Sequence, residues 1–392
     1  MAIKVLVNKL VNTLATSAFV ILKVFVIFCA CVVSQPLLAD STIQFTEKET
    51  AQIIASGPWP MTVPADPGNE YSGIASAEAL GKQLFDDPGL SGNGKISCAS
   101  CHMEELGFTD GLAVAVGHAK HIRNTQGILD AGLQRWFGWD GGTDSLWAAS
   151  MRPILSDIEM RGSIPAIADY LRRKPAYQDW MPKKDDDLAV VTAAKLIGAY
   201  VRTLQSSSTP FDAFREALVN NDTDLMDEYP DAAKRGLKIF FGEANCSVCH
   251  FGPNFSNGEF HDTGQSFFTG VGEVDPGRYR GIQRVREDRY NLLGVFNGRT
   301  QAHEQRKTST VRLQQSNWGQ WRTPSLRNLV STGPYMHNGS LSSLRDVVDA
   351  YADIDPDRLH ANGESILKPL KLNDADREDL VVFLRSLSGS AE

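Results

Sequence analysis

Apolar residues recur every three to four positions over several stretches of the chain, the spacing that places them on one face of an α-helix. No run of alternating apolar and polar residues long enough for a strand accompanies them. The pattern therefore predicts a mostly α fold with long connecting loops rich in glycine and proline. The predicted helices cover residues 164–171, 188–204, 343–351 and 374–387, the last opened by the cap residue Asn373.

The first 39 residues differ in composition from the rest of the chain. Lys4 and Lys9 precede an apolar run over residues 14–33, and Ala39 then offers a small residue ahead of the first acidic residue. This arrangement is typical of a signal peptide. We expect a signal peptide over residues 1–39, cleavage after Ala39 and export of the remaining chain to the periplasm.

Two other interpretations of this leader stay open. The apolar run is nearly long enough to span a bilayer, so an uncleaved leader would anchor the protein in a membrane, although Lys23 inside the run disfavours this. Cys31 is a second candidate, for lipidation, but Phe28-Cys29-Ala30 before it match poorly the small and aliphatic residues expected there.

The charge of the chain limits its partners. The formal net charge is −8, and it becomes −11 without the leader, because the leader contains three lysines and no acidic residue. An acidic protein of this kind is a poor partner for nucleic acid or an anionic membrane and a good one for a basic protein.

The cysteines point to a covalently bound cofactor. Two of the six, Cys29 and Cys31, would leave with the leader. The other four form two C-x-x-C pairs, each followed directly by a histidine. A bare pair also suits a disulfide, a redox dithiol or half of a zinc site, but the trailing histidine is the signature of c-type haem attachment. We expect two haem c groups, with a histidine ligating each iron; the motifs are Cys98-x-x-Cys101-His102 and Cys246-x-x-Cys249-His250.

Related sequences precede the two motifs. Ala77-x-x-x-Gly81-x-x-Leu-Phe and Ala232-x-x-x-Gly236-x-x-Ile-Phe both predict a short amphipathic helix leading into the attachment loop. This weak repeat indicates two cytochrome-c-like haem domains. A serine-rich stretch and an acidic stretch place the boundary near 215–230, so we predict domains over residues 40–220 and 221–392.

Several further stretches resemble the bacterial di-haem cytochrome c peroxidases and their MauG-type relatives, which oxidise residues within a protein substrate. The resemblance runs from about Ala77 to Leu387. It implies a mostly α-helical two-domain fold, a peroxide-reacting haem in the N-terminal domain and an electron-transfer haem in the C-terminal domain. The matching stretches are the two haem motifs, Trp139-Asp140-Gly141, Pro153, Glu159-Met160, RTPSLRN from Arg322 and TGPYMHNG from Thr332.

The resemblance implies roles for individual residues. Glu159 corresponds to the acid/base of the peroxide pocket, where cleavage of an O–O bond needs a proton moved between the two oxygens. Trp139 corresponds to the tryptophan between the two haems. One calcium ion is also implied, bound by the side chain of Asn124 and the backbone carbonyls of Thr332 and Pro334, since oxygen ligands suit this hard cation.

The remaining axial ligands separate the two branches of the family. In the C-terminal domain the distal ligand position falls on Tyr351, as in MauG-type enzymes, whereas simple peroxidases resemble this chain but carry methionine there. A phenolate favours ferric and higher iron states, a thioether the ferrous state. Met336 is a nearby competitor. In the N-terminal domain His118 matches the removable ligand of simple peroxidases, with His121 in the same loop as a second candidate.

Two positions depart from the family pattern. Ala149 stands where a pocket glutamine is usual, so Trp147 or a water would have to supply the missing polar contact. Ala244 stands where MauG-type enzymes have the surface tryptophan that passes oxidation to the protein substrate, so that route is absent here.

The expected function is a periplasmic di-haem peroxidase that reduces hydrogen peroxide with electrons from a small cytochrome c or cupredoxin. The alternative is MauG-like, peroxide-dependent oxidation of tryptophan or tyrosine in a partner protein. A plain di-haem electron carrier is the third hypothesis, which Glu159 and Trp139 disfavour. Nucleic acid is not an expected partner, and a membrane would be one only through an uncleaved leader.

Overall fold

Helices carry most of the regular structure, as the spacing of apolar residues predicts. The computed structural model describes residues 43–298, 302–355 and 367–389. The leader, with its predicted cleavage site and Cys31, lies outside the described residues. Within them the α-helices are α1 (Glu47–Ala55), α2 (Ala75–Asp86), α3 (Leu146–Leu155), α4 (Ile164–Arg173), α5 (Asp186–Val201), α6 (Pro210–Asn220), α7 (Thr223–Glu228), α8 (Asp231–Phe241), α9 (Arg278–Glu287), α10 (Ala302–Thr310), α11 (Leu344–Ala352) and α12 (Asp374–Arg385).

The four helices predicted from apolar spacing are confirmed as α4, α5, α11 and α12, with no end shifted by more than three residues. The shift at α5 has a clear cause. The carboxylate of Asp185 accepts a hydrogen bond from the backbone N–H of Leu188 at 2.9 Å, so the helix begins earlier than the apolar pattern indicates. Helix caps of this kind are formed by polar residues, so the spacing of apolar residues does not predict them.

The strands are short and occur in two antiparallel pairs. β1 (Phe260–His261) pairs with β4 (Trp321–Arg322), with Phe260 opposite Arg322, and β2 (Phe268–Gly270) pairs with β3 (Glu273–Val274). The β1–β4 pair joins the segment just after the second haem motif to the start of the RTPSLRN stretch. It therefore holds Trp321 and Arg322 beside that motif.

Each haem motif follows a helix that crosses a later helix at a glycine. In α2, a Cβ on Gly81 would lie 2.0 Å from the carbonyl oxygen of Leu196 in α5. In α8, a Cβ on Gly236 would lie 2.0 Å from the carbonyl oxygen of Asp379 in α12. Both distances are far shorter than a carbon–oxygen contact allows. The repeated glycine seen in the sequence is therefore the residue that lets each pair of helices approach closely.

Two clusters of buried apolar side chains accompany these two helix crossings. The first contains Leu84 and Trp147, and the second contains Phe240 and Phe383. Ile53 of α1 and Phe211 of α6 belong to the second cluster, although both precede residue 220 in the chain. The predicted domain boundary near residue 220 stays a prediction, because the packing of α1 and α6 does not follow the order of the chain.

None of the helices in the described part of the chain combines the length and the apolar character needed to cross a membrane.

Candidate active site

The first C-x-x-C-H motif forms a tight turn at the edge of a cavity. Cys98 begins a short 3₁₀ turn after the loop that follows α2, and the backbone N–H of His102 donates to the carbonyl of Cys98 at 2.9 Å. This turn brings the side chains of Cys98, Cys101 and His102 to the wall of one cavity, here called the first cavity. The two sulfurs and the imidazole thus face the same space, as haem attachment requires.

The second motif repeats this geometry. Cys246 begins a 3₁₀ turn, and the N–H of His250 donates to the carbonyl of Cys246 at 2.9 Å. Cys246, Cys249 and His250 all line another cavity, here called the second cavity.

Both histidines are held in the orientation that an iron ligand needs. The Nδ1 of His102 lies 3.0 Å from the carbonyl oxygen of Phe108, and the Nδ1 of His250 lies 2.9 Å from that of Phe255. Burial lowers the pKa of both imidazoles, that of His250 to about 4. A neutral imidazole that donates from Nδ1 leaves Nε2 as a lone-pair donor for a metal. Each histidine is therefore prepared to ligate iron.

The cysteines do not suit the alternative uses of a C-x-x-C pair. All four thiols are unpaired. Burial raises the pKa of Cys98 to about 12 and that of Cys101 to about 11, opposite to the lowered pKa of redox-active thiols. In the described ranges no three or more His, Cys, Asp or Glu residues converge as a zinc site would need. The paired thiols, neutral histidines and adjoining cavities fit two covalently attached haems.

Glu159 lies on the wall of the first cavity, as the resemblance implies. It follows α3 in a turn in which the N–H of Glu159 donates to the carbonyl of Ser156 at 3.2 Å. Arg152, at the end of α3, lines the same cavity and was not predicted from the sequence. The first cavity thus combines the His102 imidazole with a carboxylate and a guanidinium, which can move a proton and stabilise negative charge.

The structure does not bring His118 to this cavity. His118 is exposed, and its Nε2 lies 2.7 Å from Nη1 of Arg161. His121, the second candidate, does line the first cavity, and its Nδ1 accepts from the backbone N–H of Arg123 at 2.9 Å. The match to simple peroxidases favours His118, but in the structure it is His121 of the same loop that lines the cavity.

Ala149 also lines the first cavity, at the position of the expected glutamine. Trp147 does not compensate for it, contrary to the sequence-based interpretation. Its indole is fully buried, its Nε1 donates to Oδ1 of Asn297 at 3.2 Å, and it faces neither cavity. Trp147 is a core residue.

Tyr351 lines the second cavity together with His250. It lies in α11, and its hydroxyl is hydrogen-bonded to the side chain of Thr263. Burial raises the pKa of Tyr351 to about 12, so without a cation beside it the phenol keeps its proton. Met336, the competing candidate ligand, lines this cavity as well.

Trp139 lines both cavities. Its indole Nε1 donates to the carbonyl oxygen of Asn124 at 2.9 Å, and the N–H of Asn124 donates to the carbonyl of His337 at 2.8 Å. The indole is thus fixed in the wall that the two cavities share, the position expected of a tryptophan between two haems.

The three residues expected to bind calcium all line the second cavity. The side-chain Nδ2 of Asn124 donates to the carbonyl of Leu112 at 2.9 Å, which turns the amide oxygen of Asn124 the other way. Thr332 and Pro334 lie in the loop that leads to His337. Calcium binding by Asn124, Thr332 and Pro334 stays a prediction.

A buried ion network supports the shared wall. Nε of Arg123 lies 2.6 Å from Asp275, and Nη1 of Arg123 lies 2.7 Å from Asp140. Burial by itself would raise the pKa of Asp140, but the guanidinium groups of Arg123 and Arg284 outweigh it and hold that pKa well below its usual range. Asp140 directly follows Trp139, and Arg123 directly precedes Asn124. The ion pair between Asp140 and Arg123 therefore fixes the backbone on both sides of the hydrogen bond from Trp139 to Asn124.

Comparison with known proteins agrees with this geometry. The model of the di-haem cytochrome c peroxidase family matches residues 75–220. The cytochrome-c peroxidase IdrP1 of Pseudomonas sp. (strain SCT) is 35% identical over 354 residues, 84% of each chain. The methylamine utilization protein MauG of Methylorubrum extorquens is 31% identical over 354 residues, 89% of this chain and 88% of the relative. In fold, the diheme peroxidase BthA of Burkholderia thailandensis, 20% identical, gives a TM-score of 0.65 over 83% of this chain and 89% of that one.

The fold and the site thus define a haem-dependent oxidoreductase of the peroxidase type. The chain belongs to the di-haem cytochrome c peroxidase family, which includes MauG, and this membership brings with it two haem c groups.

Proposed function

We propose that this protein reduces hydrogen peroxide at the haem held by Cys98, Cys101 and His102, with electrons that enter through the haem held by Cys246, Cys249 and His250. The observation that carries the proposal is the unequal lining of the two cavities. Glu159 faces the first cavity and Tyr351 faces the second, while Trp139 lies in the wall of both.

The haem iron of the first cavity would supply the electrophilic centre and the electrons for cleavage of peroxide. The protein residues supply the rest. Glu159 would move a proton from one peroxide oxygen to the other, which would leave as water. Arg152 would stabilise the negative charge that develops as the two oxygens separate. His121, which lines the same cavity, is the histidine that would be available to this haem in the resting protein.

Calcium is proposed at Asn124, Thr332 and Pro334, beside the shared wall. By ordering these three segments the ion would hold the Asn124 carbonyl that accepts from Trp139. Removal of calcium with a chelator is expected to slow electron transfer between the haems and to leave haem attachment unchanged. Metal analysis of the purified protein would read close to zero calcium if this site is not used.

The proposed location is the periplasm, with a small cytochrome c or a cupredoxin as electron donor. The test is steady-state consumption of peroxide in the presence of a reduced small cytochrome c or cupredoxin. Sustained turnover that is lost in a Cys101→Ala, His102→Gly variant supports the proposal. Turnover that survives loss of the first haem contradicts it.

A MauG-like function is the second candidate, and Tyr351 is the observation that favours it. A tyrosine facing His250 suits a haem that stores an oxidising equivalent. Ala244, where a surface tryptophan would be needed, opposes it. The outcome that would support this candidate is no turnover with small donors, together with a long-lived oxidised spectrum after peroxide.

A further inference from the structure

Arg322 is a buried cation that faces the second cavity. It is 5% exposed, lies on β4 opposite Phe260, and lines the cavity that also holds Cys246 and His250. Its backbone N–H donates to the carbonyl of Trp139 at 2.9 Å, and its Nε donates weakly to the carbonyl of Gly138 at 3.3 Å.

The charge of Arg322 has no protein partner in the described part of the chain. Two other buried arginines have carboxylate partners: Arg123 lies between two aspartates, and Arg327 forms two 2.9 Å hydrogen bonds with Asp212. The buried Arg278 instead donates to two backbone carbonyls, those of Asp140 and Gly141. No carboxylate forms an ion pair with Arg322 there, and burial lowers its pKa to about 10. A buried charge without a counter-charge is destabilising, and Arg322 lines the cavity, so a counter-charge supplied from the cavity would stabilise it.

A second unpartnered donor lies next to it. The indole Nε1 of Trp321 is buried and has no hydrogen-bond partner among the described residues. Its ring is stacked on His337 at 3.7 Å and lies under the guanidinium of Arg123 at 5.2 Å, so it is held in place. Among the described residues, the second cavity is therefore lined by an arginine without a counter-charge and by an indole N–H without an acceptor, and both favour an acceptor group inside the cavity.

We propose that Arg322 binds a propionate of the haem attached to Cys246 and Cys249. The two propionates are the carboxylates that this haem carries into its cavity, and a planar guanidinium pairs with a carboxylate through two parallel hydrogen bonds. Arg322 is thus a positioning residue: it joins the propionate end of this haem to the Gly138–Trp139 backbone. The proposal rests on the presence of two haems and is independent of which haem reacts with peroxide.

The test replaces Arg322 in the full holoprotein and follows the reduction potential of each haem against pH by spectroelectrochemistry. In Arg322→Gln the potential of the haem on His250 is expected to fall, since loss of a cation disfavours the reduced, more negative haem. It is also expected to become dependent on pH, because the freed propionate titrates near neutrality. The limit is a tenfold change in the redox equilibrium per pH unit, about 59 mV for one electron.

Arg278→Gln is the matched control. Arg278 is 4% exposed, burial lowers its pKa to about 10, and its guanidinium lies over Phe260 at 3.8 Å, but it faces neither cavity. The Arg278→Gln variant also removes one buried positive charge, but we expect it to leave the pH dependence of the reduction potential unchanged. Equal behaviour of the two variants, or a wild-type pH profile in Arg322→Gln, would overturn the proposal.

Arg322→Lys covers the case in which the glutamine variant does not fold. Lysine keeps the charge but not the fork of two donors. We expect the pH profile of the potential to stay close to that of the wild type, and the propionate bending band in the resonance Raman spectrum to shift. An unshifted propionate band in Arg322→Lys contradicts direct contact.

Discussion

The two haem cavities have the same attachment turn and the same held histidine, but they differ in the titratable side chains that complete their lining. Each motif makes the same turn, and each histidine directs Nδ1 at a backbone carbonyl five or six residues further along the chain. Elsewhere in the lining, one cavity presents Glu159 and the other presents Tyr351. The attachment motif is therefore a repeated unit, whereas the chemistry of each haem is decided by segments outside the repeat.

The largest expected effect comes from removing the acid/base group that distinguishes the first cavity. Glu159→Gln keeps the shape of the side chain but cannot accept a proton, so the reaction with peroxide should slow by roughly 10²–10⁴-fold while both haems stay attached. Stopped-flow absorbance after mixing with peroxide measures the rate. Glu105→Gln, at an exposed glutamate beside the same motif, is the control and should react like the wild type. An unchanged rate in Glu159→Gln would remove this residue from the mechanism.

The shared wall is the next target. Arg123→Met leaves Asp275 buried without its cation and leaves Asp140 with Arg284 alone, which should cost about 3–5 kcal/mol of stability at pH 7. The exposed pair of Arg173 with Asp169 gives the control, since Arg173→Met should cost at most about 1 kcal/mol. Denaturant unfolding followed by circular dichroism measures both.

The same pair of proteins gives a pH test. The folded-state pKa of Asp140 is depressed, so its contribution to stability is fully present above its unfolded value of about 3.9 and is lost as the pH falls through the folded value. The stability difference between wild type and Arg123→Met should therefore shrink on acidification below about pH 4. A difference that grows over that range would show that Asp140 is not stabilised by Arg123.

A third comparison concerns the second cavity. Tyr351→Met replaces the predicted phenolate ligand with a thioether, so it should change the resting spectrum of one haem and shorten the life of the oxidised state formed with peroxide. Tyr335→Phe is the control, because Tyr335 lines the same cavity but donates its hydroxyl to the carbonyl of Leu329 at 2.8 Å. Identical spectra of Tyr351→Met and wild type would show that Tyr351 is not a ligand.

A smaller effect is expected at the indole between the cavities. Trp139→Phe removes a polarisable ring and its hydrogen bond to Asn124, so transfer between the haems should slow while the first reaction with peroxide keeps its rate. Trp318→Phe, at a tryptophan that faces neither cavity, should change neither step. Flash reduction of one haem, followed at the wavelength of the other, measures the transfer rate.

The smallest expected effect separates two histidines of one loop. His118→Ala should leave the resting spectrum of the first haem unchanged, because His118 is exposed and bonded to Arg161. His121→Ala should change it, because His121 lines the first cavity. Low-temperature electron paramagnetic resonance of the ferric protein measures the resting state in both variants. A changed spectrum in His118→Ala and an unchanged one in His121→Ala would show that His118 is the ligand.

Much of this architecture is predictable from the sequence because it depends on local periodicity. The haem motifs, the glycines of the helix crossings and helices such as α4 and α12 are of this kind. His118 is assigned by its match to the family pattern, and Trp147 is one of two replacements considered for the polar contact missing at Ala149. Neither prediction says which side of a loop or helix faces the cavity. In the sequence Arg322 stands out only as part of the RTPSLRN stretch. That it has no counter-charge among the described residues depends on which residues surround it in space, and local sequence does not give those neighbours.

The unequal roles of the two haems are tested most directly by cyanide titration of the resting ferric protein, followed by electron paramagnetic resonance. The account predicts that one haem signal changes and the other does not. It also predicts that Tyr351→Met alters only the signal that cyanide leaves untouched. Cyanide binding to both haems, or a Tyr351→Met change in the cyanide-sensitive signal, would contradict the assignment of peroxide chemistry to the cavity of His102.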